Sequence, residues 1–118
     1  MSLINTIHKN SDKKPTRYYS SKQEKSVAKK LNGITTPNSG ATQFAKGDLK
    51  LDDFLVECKT KTTHSDSISI KKEWLEKVDK ESLFMGKPYS ALIFNFGPDE
   101  KNYVIIDENL FKDLIDRD

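Results

Sequence analysis

The chain has 118 residues, of which 35% are hydrophobic and 32% are charged, and its formal net charge is +2 at pH 7. This length predicts one domain with a modest core, and no apolar run approaches the roughly 18–20 residues that span a bilayer. The first residues lack the apolar stretch of a signal peptide, and the single cysteine excludes an internal disulfide. We therefore expect a cytoplasmic protein without a membrane segment.

The charge is distributed unevenly along the chain. Residues 1–30 contain eight Lys and Arg against two acidic residues, whereas residues 97–118 contain three against seven. A basic N-terminal third favours contact with a polyanion, although a solvated arm would have the same composition. Residues 1–19 lack periodicity, so we predict a basic flexible arm there and a single domain over residues 20–118.

The first half of the domain reads as a helix followed by a hairpin. Ser21 to Glu24 spell a capping box, SKQE, and Asn32-Gly33 is a helix-ending signal, so a helix is predicted between them. Residues 34–42 start extended and become a Pro/Asn/Ser/Gly loop. A strand is predicted over 44–52, with a turn at Asp52-Asp53 that leads into the strand FLVECKT.

The second half reads as a helix, two strands and a helix. Ile70, Trp74 and Val78 have helical spacing, and Gly86 with Pro88 ends that helix. The remaining predicted elements are an apolar strand at 89–96, a partner strand at 103–107 and an amphipathic helix at 108–116. Helices on both faces of a central mixed five-stranded sheet would give a three-layer α/β/α domain.

The strand FLVECKT raises a question because it ends in a charged pair. Side chains alternate along a strand, so Glu57 and Lys59 share one face. This E-x-K pattern is common as a solvated pair on surface strands. However, Asp48 at the start of the hairpin can lie beside Glu57, and two converging carboxylates repel each other unless a cation lies between them. Oxygen ligands favour Mg²⁺ or Mn²⁺, and a metal-bound hydroxide beside Lys59 could attack a phosphate.

A third carboxylate belongs to the first helix. Glu24 shares a helix face with Val27, Ala28 and Leu31 by i, i+3, i+4, i+7 spacing, which places it on or near the side that faces the sheet. Glu24 is also the last residue of the capping box, so a bond back to the helix N-terminus explains it equally well.

The ordered combination resembles the PD-(D/E)xK nuclease superfamily, and in particular its small archaeal and phage Holliday junction resolvases. The resemblance covers residues 18–106 and includes the segment SISIKKEWLEKV. The motifs that carry it are, in order, Glu24 on a helix, the loop Asn38-Ser39-Gly40-Ala41, Gly47-Asp48 and Glu57-Cys58-Lys59. Two departures are that Gly47 stands where the family often has proline, and that Asp53 offers a rival carboxylate. We prefer Asp48 because Asp52-Asp53 reads as the hairpin turn.

The resemblance implies a restriction-endonuclease-like fold and a metal-dependent endonuclease that leaves a 5′-phosphate. Asp48, Glu57 and the backbone carbonyl of Cys58 would bind one or two Mg²⁺ or Mn²⁺ ions, and Glu24 would bind a second ion or a metal water. Lys59 would position the attacking water. Ser39 would approach the scissile phosphate, although ordinary turn chemistry also explains this serine.

The implied substrate is branched or duplex DNA. Basic and aromatic residues could contact phosphates and unpaired bases, and the candidates are Arg17, Tyr18, Tyr19, Lys22, Lys25, Lys29, Lys46 and Lys61. Trp74 is predicted in the core, Cys58 is predicted buried without a nucleophilic role, and His64 is predicted in a loop.

A four-way junction is two-fold symmetric, so a resolvase would act as a homodimer. A nicking, single-strand or restriction-type nuclease would use the same catalytic residues. A non-catalytic DNA-binding recombination accessory protein remains the alternative from another class.

Overall fold

The computed structural model describes residues 14–36 and 48–117. The elements in chain order are α1 (Thr16–Leu31), β1 (Ile34–Thr35), β2 (Leu49–Lys50), β3 (Phe54–Lys59), α2 (Lys72–Phe84), β4 (Tyr89–Phe94), β5 (Tyr103–Ile105) and α3 (Glu108–Ile115). The strands form one mixed sheet in the order β1-β2-β3-β4-β5; β3 and β4 are parallel, and the other described neighbours are antiparallel. The predicted α/β fold with a mixed five-stranded sheet is confirmed.

Strand β3 is the centre of the sheet, and both of its faces are covered. Val56 and Cys58 join a buried cluster with Val27 of α1. On the opposite face Leu55 and Glu57 are also buried, and helix α2 packs against β3 and β4. This double coverage explains the nearly continuous apolar run before the charged pair.

The predicted start of the first helix is wrong. Helix α1 begins at Thr16, with Pro15 at its N-cap position and no side-chain cap, so Ser21 and Glu24 lie inside the helix rather than at its end. Residues 16–20 contain no Gly or Pro, so the helix extends back to Pro15, where the proline ring suits a helix start. The capping-box explanation of Glu24 therefore fails, because the N-terminal amide it requires lies elsewhere.

The predicted end of α1 is confirmed, and it fixes the helix against the hairpin. Asn32 adopts a left-handed conformation with φ 58°, and the Gly33 N–H donates to the Ala28 carbonyl at 2.8 Å. A Cβ atom at Gly33 would lie 2.6 Å from Cδ2 of Leu51 and 3.0 Å from Cδ1 of Leu49. The backbone at Gly33 thus passes closely over the two leucines, and any larger residue would require their side chains to move.

The other boundaries follow the predicted signals closely. Helix α2 begins at Lys72 rather than Ile70 and ends before Gly86, which has φ +71°. Helix α3 begins after Asp107, whose side chain accepts a hydrogen bond from the Leu110 N–H at 2.9 Å. Within the described ranges, no helix has the length and apolar character needed to cross a membrane.

Four predictions fall wholly or partly outside the described residues, and one is the basic arm, of which residues 1–13 are not described. The other three are residues 44–47 of the predicted strand, the DNA-contact residue Lys46, and Ser39 with its loop. The part of that strand that lies in the described ranges is β2, and Asp52 and Asp53 form the predicted turn between β2 and β3.

Candidate active site

The hairpin brings Asp48 to the charged end of β3. The register pairs Leu49 with Val56, and the Asp48 N–H donates to the Val56 carbonyl at 2.9 Å. The Asp48 side chain turns towards the same strand, and its Oδ2 accepts a hydrogen bond from the Cys58 N–H at 2.6 Å. Asp48 is 7% exposed, whereas Asp52 and Asp53 are exposed in the turn. Of these aspartates, the structure therefore brings Asp48 to Glu57.

Glu57 and Lys59 form an ion pair on one face of β3. Lys59 Nζ lies 3.4 Å from Glu57 Oε2, and the two side chains are 30% and 11% exposed. Their shared face follows from strand alternation, as predicted. The carboxylate is the buried member of the pair and the ammonium is the accessible one, so only the ammonium is in a position to meet an external anion.

Glu24 approaches the same site from helix α1. It is 6% exposed, and the charges of both Asp48 and Glu57 act on it. Gln23, Glu24 and Val27 are the buried residues of the helix, so the glutamate lies on the side that faces the sheet. The three carboxylates predicted from the sequence therefore lie close enough for charge interactions: Asp48 directly before β2, Glu57 on β3 and Glu24 on α1.

Burial, together with the charge of Asp48, raises the pKa of two of these carboxylates. Burial, followed by the charge of Asp48, raises the pKa of Glu24 to about 7. The same two causes, in the same order, raise the pKa of Glu57 to about 7, although Lys59 and Lys77 oppose the rise. Burial also raises the pKa of the Cys58 thiol, with neighbouring carboxylates adding to it. Cys58 is thus a buried thiol in the core cluster, as predicted, and is poorly suited to act as a nucleophile.

The donor chemistry of the cluster fits a hard divalent cation. Carboxylate oxygens are the ligands that Mg²⁺ and Mn²⁺ prefer. Burial and then the charge of Asp48 raise the pKa of Glu24 and Glu57, and a bound cation would oppose both effects. Within residues 14–36 and 48–117, no group of three or more His, Cys, Asp or Glu side chains is arranged to hold a metal ion.

Helix α2 supplies two residues to the site that the sequence analysis did not assign to it. Trp74, predicted in the core, is half-buried, and its ring centroid lies 4.5 Å from Lys59 Nζ. A cation over an indole ring is attracted to it, so the tryptophan holds the lysine in place. Lys77, one turn further along, lowers the pKa of Glu57 by its charge. The spacing of 74, 77, 78 and 81 was the available signal, since it places both residues on the face that contains the buried Val78.

Gln23 is a third residue that the sequence analysis did not assign to the site. It is 6% exposed, and its Nε2 donates to the Lys59 carbonyl at 2.9 Å and to Asn102 Oδ1 at 3.2 Å. The Asn95 N–H also donates to the Lys59 carbonyl, at 3.2 Å. These bonds fix the backbone at Lys59 and couple it to helix α1. The signal in the sequence was a polar residue next to Glu24 on the inward side of the helix.

The predicted DNA-contact residues lie mainly on α1. Arg17, Lys25 and Lys29 are exposed, and Tyr18 is 45% exposed and packs edge-on against the half-buried Tyr19. Arg17 also lowers the pKa of Glu24 by its charge, so the basic end of the helix lies near the carboxylates.

Three residues outside the carboxylate cluster have local partners. Lys22 forms an ion pair with Asp99 at 2.9 Å, and Lys61 Nζ donates to Ser65 Oγ at 3.3 Å. His64 is an exposed loop residue, as predicted, and its Nδ1 lies 2.5 Å from Glu100 Oε2.

No protein-family model matches the chain, and comparisons with curated proteins and with solved structures give no match either.

Proposed function

We propose that the protein is a metal-dependent, structure-selective DNA endonuclease of the PD-(D/E)xK type, and most specifically a Holliday junction resolvase. One observation carries the proposal. Two buried carboxylates, Asp48 and Glu57, meet across a hairpin beside an accessible lysine 3.4 Å from Glu57, with Glu24 adding a third carboxylate from a helix. A fold gains no stability from buried like charges, so their convergence favours a functional use.

The packing of the helices supports a three-layer, restriction-endonuclease-like arrangement as part of this proposal. Helix α1 contributes Val27 to the cluster on the Val56 and Cys58 face of β3. Helix α2 lies towards the other face, where Trp74 contacts Lys59. In this arrangement the catalytic set stands at the carboxyl end of β3, where β3 and β4 run parallel.

Each residue then has a chemical role. Asp48, Glu57 and the backbone carbonyl of Cys58 would hold one or two Mg²⁺ or Mn²⁺ ions, with Glu24 at a second ion or its water. The bound ion would lower the pKa of a water and offset charge on the phosphate. Lys59, accessible and fixed by Glu57, would orient the attacking water and neutralise charge that develops on the phosphate oxygens. Ser39 is assigned to the phosphate by resemblance alone.

The DNA would contact the basic surface of α1. Arg17, Lys25 and Lys29 are free to meet phosphates from the exposed side of this helix, and such contacts give affinity without sequence readout. A homodimer would place two active sites on the two-fold symmetric junction.

The experiment that tests the proposal is cleavage of four radiolabelled substrates in Mg²⁺ or Mn²⁺. They are a four-way junction, a splayed duplex, a linear duplex and a single strand. Wild type is compared with Glu57→Ala and with Glu76→Ala, a matched control at an exposed glutamate of α2. Paired symmetric nicks in the junction, lost only in Glu57→Ala, are the expected result. Preferential cleavage of another substrate would keep the nuclease and reassign it to a nicking, single-strand or restriction-type role.

One observation favours a second candidate, a non-catalytic DNA-binding accessory protein. The contacts of Asp48 with the Cys58 N–H and of Glu57 with Lys59 already give both carboxylates structural partners. If no substrate is cleaved in either metal, and if Mn²⁺ does not raise the melting temperature, the two carboxylates have a structural role and the accessory-protein function is favoured.

A further inference from the structure

An aromatic cluster lies beside the catalytic lysine on the same face of the sheet. The register pairs Lys59 with Phe94 on β4, and Phe94 with Tyr103 on β5. Residues paired in this way project from the same face, and adjacent strands are about 4.8 Å apart. Lys59, Phe94 and Tyr103 therefore form a row across the sheet, with the tyrosine about 10 Å from the lysine at the backbone.

The rings of this row are packed into a continuous aromatic surface. Phe94 and Tyr103 stack with centroids 5.7 Å apart and planes inclined by 27°. Phe96 meets Phe94 edge-on at 5.5 Å and Tyr103 edge-on at 5.9 Å. Phe94 and Phe96 are half-buried, whereas Tyr103 is 45% exposed. The two phenylalanines thus pack against a tyrosine that is about half exposed to solvent.

The charges around the open ring suit a nucleic acid. Lys101 Nζ lies 5.8 Å from the ring centroid of Tyr103. Lys59 lies two strands away from Tyr103 in the same row, with Phe94 between them. The nearby acids have cationic or polar partners, since Asp99 pairs with Lys22 and Glu100 contacts His64. An aromatic ring flanked by lysines is the arrangement that binds an unpaired base together with its phosphate.

We infer that the rings of Phe94, Phe96 and Tyr103 form a stacking surface for an unpaired base near the scissile phosphate. The inference rests on the proposed function for the position of that phosphate at Lys59. About 10 Å corresponds to roughly three base steps of 3.4 Å, so the stacked base belongs to a nucleotide close to the cleaved bond. In a duplex the bases are already paired and stacked. The surface therefore favours DNA with an opened base, such as a branch point or a single strand.

The test measures binding in EDTA, so that it does not depend on cleavage. The probe is a single-stranded oligonucleotide that contains 2-aminopurine, whose fluorescence falls when the base stacks on a ring; a duplex of the same length serves as the reference. Tyr103→Ala is expected to weaken single-strand binding about tenfold and to abolish the quenching, because one base–aromatic stack is lost. Tyr103→Phe keeps the ring and should bind like wild type. Phe111→Ala removes a ring of similar exposure (56%) from α3 and should leave single-strand binding and quenching unchanged.

Four results would overturn the inference: wild type fails to bind the single strand, Tyr103→Ala binds it as well as wild type does, the loss is equal on the duplex, or the substitution changes only the oligomeric state in sedimentation. The last result would make the surface a protein interface. The two proposals can fail separately. If wild type cleaves the junction but Tyr103→Ala binds the single strand normally, only the stacking surface is rejected. If Tyr103→Ala loses the quenching but wild type shows no metal-dependent cleavage, only the nuclease function is rejected.

Discussion

Replacing Glu57 with glutamine is expected to stabilise the metal-free protein above neutral pH while it removes metal-dependent cleavage. The side chain is 11% exposed, and burial together with the charge of Asp48 raises its pKa to about 7 from its usual 4.5. Above pH 7 the Glu57 carboxylate is ionised in both states, and its negative charge costs more free energy in the folded protein than in the unfolded chain. Glutamine has the same shape and no charge, so it avoids this cost.

The magnitude follows from the size of the pKa shift. A difference of about 2.5 pKa units, at 1.36 kcal/mol per unit, gives about 3 kcal/mol as an upper bound at pH 8. For an acid whose pKa is raised by folding, the folded state binds more protons between the two pKa values, so stability falls as pH rises from about 4.5 to about 7. Most of the gain from Glu57→Gln should therefore be present at pH 8 and absent near pH 5.

The assay is thermal unfolding followed by circular dichroism in EDTA at pH 5 and pH 8. For a domain of this size, about 1–3 kcal/mol corresponds to a rise in melting temperature of roughly 4–12 °C at pH 8. Glu76→Gln on the exposed side of α2 is the matched control and should leave both melting temperatures unchanged. A Glu57→Gln protein that is equally destabilised at both pH values would refute the reasoning, because it would mean that the carboxylate stabilises the fold.

Three further predictions concern the same site. Asp48→Ala should cost about 1–3 kcal/mol in unfolding free energy, since it leaves the buried Cys58 N–H without its acceptor, whereas Asp48→Asn should fold normally and fail to cleave; equal stabilities in urea unfolding would contradict this. Trp74→Leu should lower kcat about tenfold with little change in KM, and Trp74→Phe should recover part of it, because the ring positions Lys59; a loss seen in KM alone would argue against positioning. Mn²⁺ should raise the melting temperature at pH 8 and far less at pH 5, where Glu24 and Glu57 are protonated, and a rise of the same size at both pH values would exclude these carboxylates as the binding site.

The strand and helix pattern could be predicted because local rules govern it. The face shared by Glu57 and Lys59 follows from strand alternation alone, and the end of α1 follows from Asn32-Gly33. The start of α1 could not be read from the capping box, because SKQE resembles a helix start wherever it occurs. The helix begins at Thr16, directly after Pro15 and five residues before Ser21.

The partners of the site residues were less predictable because they depend on packing between distant elements. Helical spacing shows which face of α2 Trp74 occupies, but it does not show that this face lies over the charged end of β3 rather than over its apolar middle. In the structure the Lys59 ammonium is the group that meets the ring. The same limit applies to Gln23, whose contact with the Lys59 carbonyl spans 36 residues of sequence.

Strand β3 shows why the charged pair stands at its end. Towards the start of the strand, Leu55 and Val56 are fully buried, one on each face, and tolerate no charge. At Glu57 the neighbour across the hairpin is a second acid, because the charge of Asp48 acts on this carboxylate and adds to the rise in its pKa that burial causes. By Lys59 the side chain is 30% exposed and meets solvent. The strand therefore passes from core to surface within five residues. A buried acid followed by a more accessible base is the order that the proposed cation site, facing an incoming phosphate, would require.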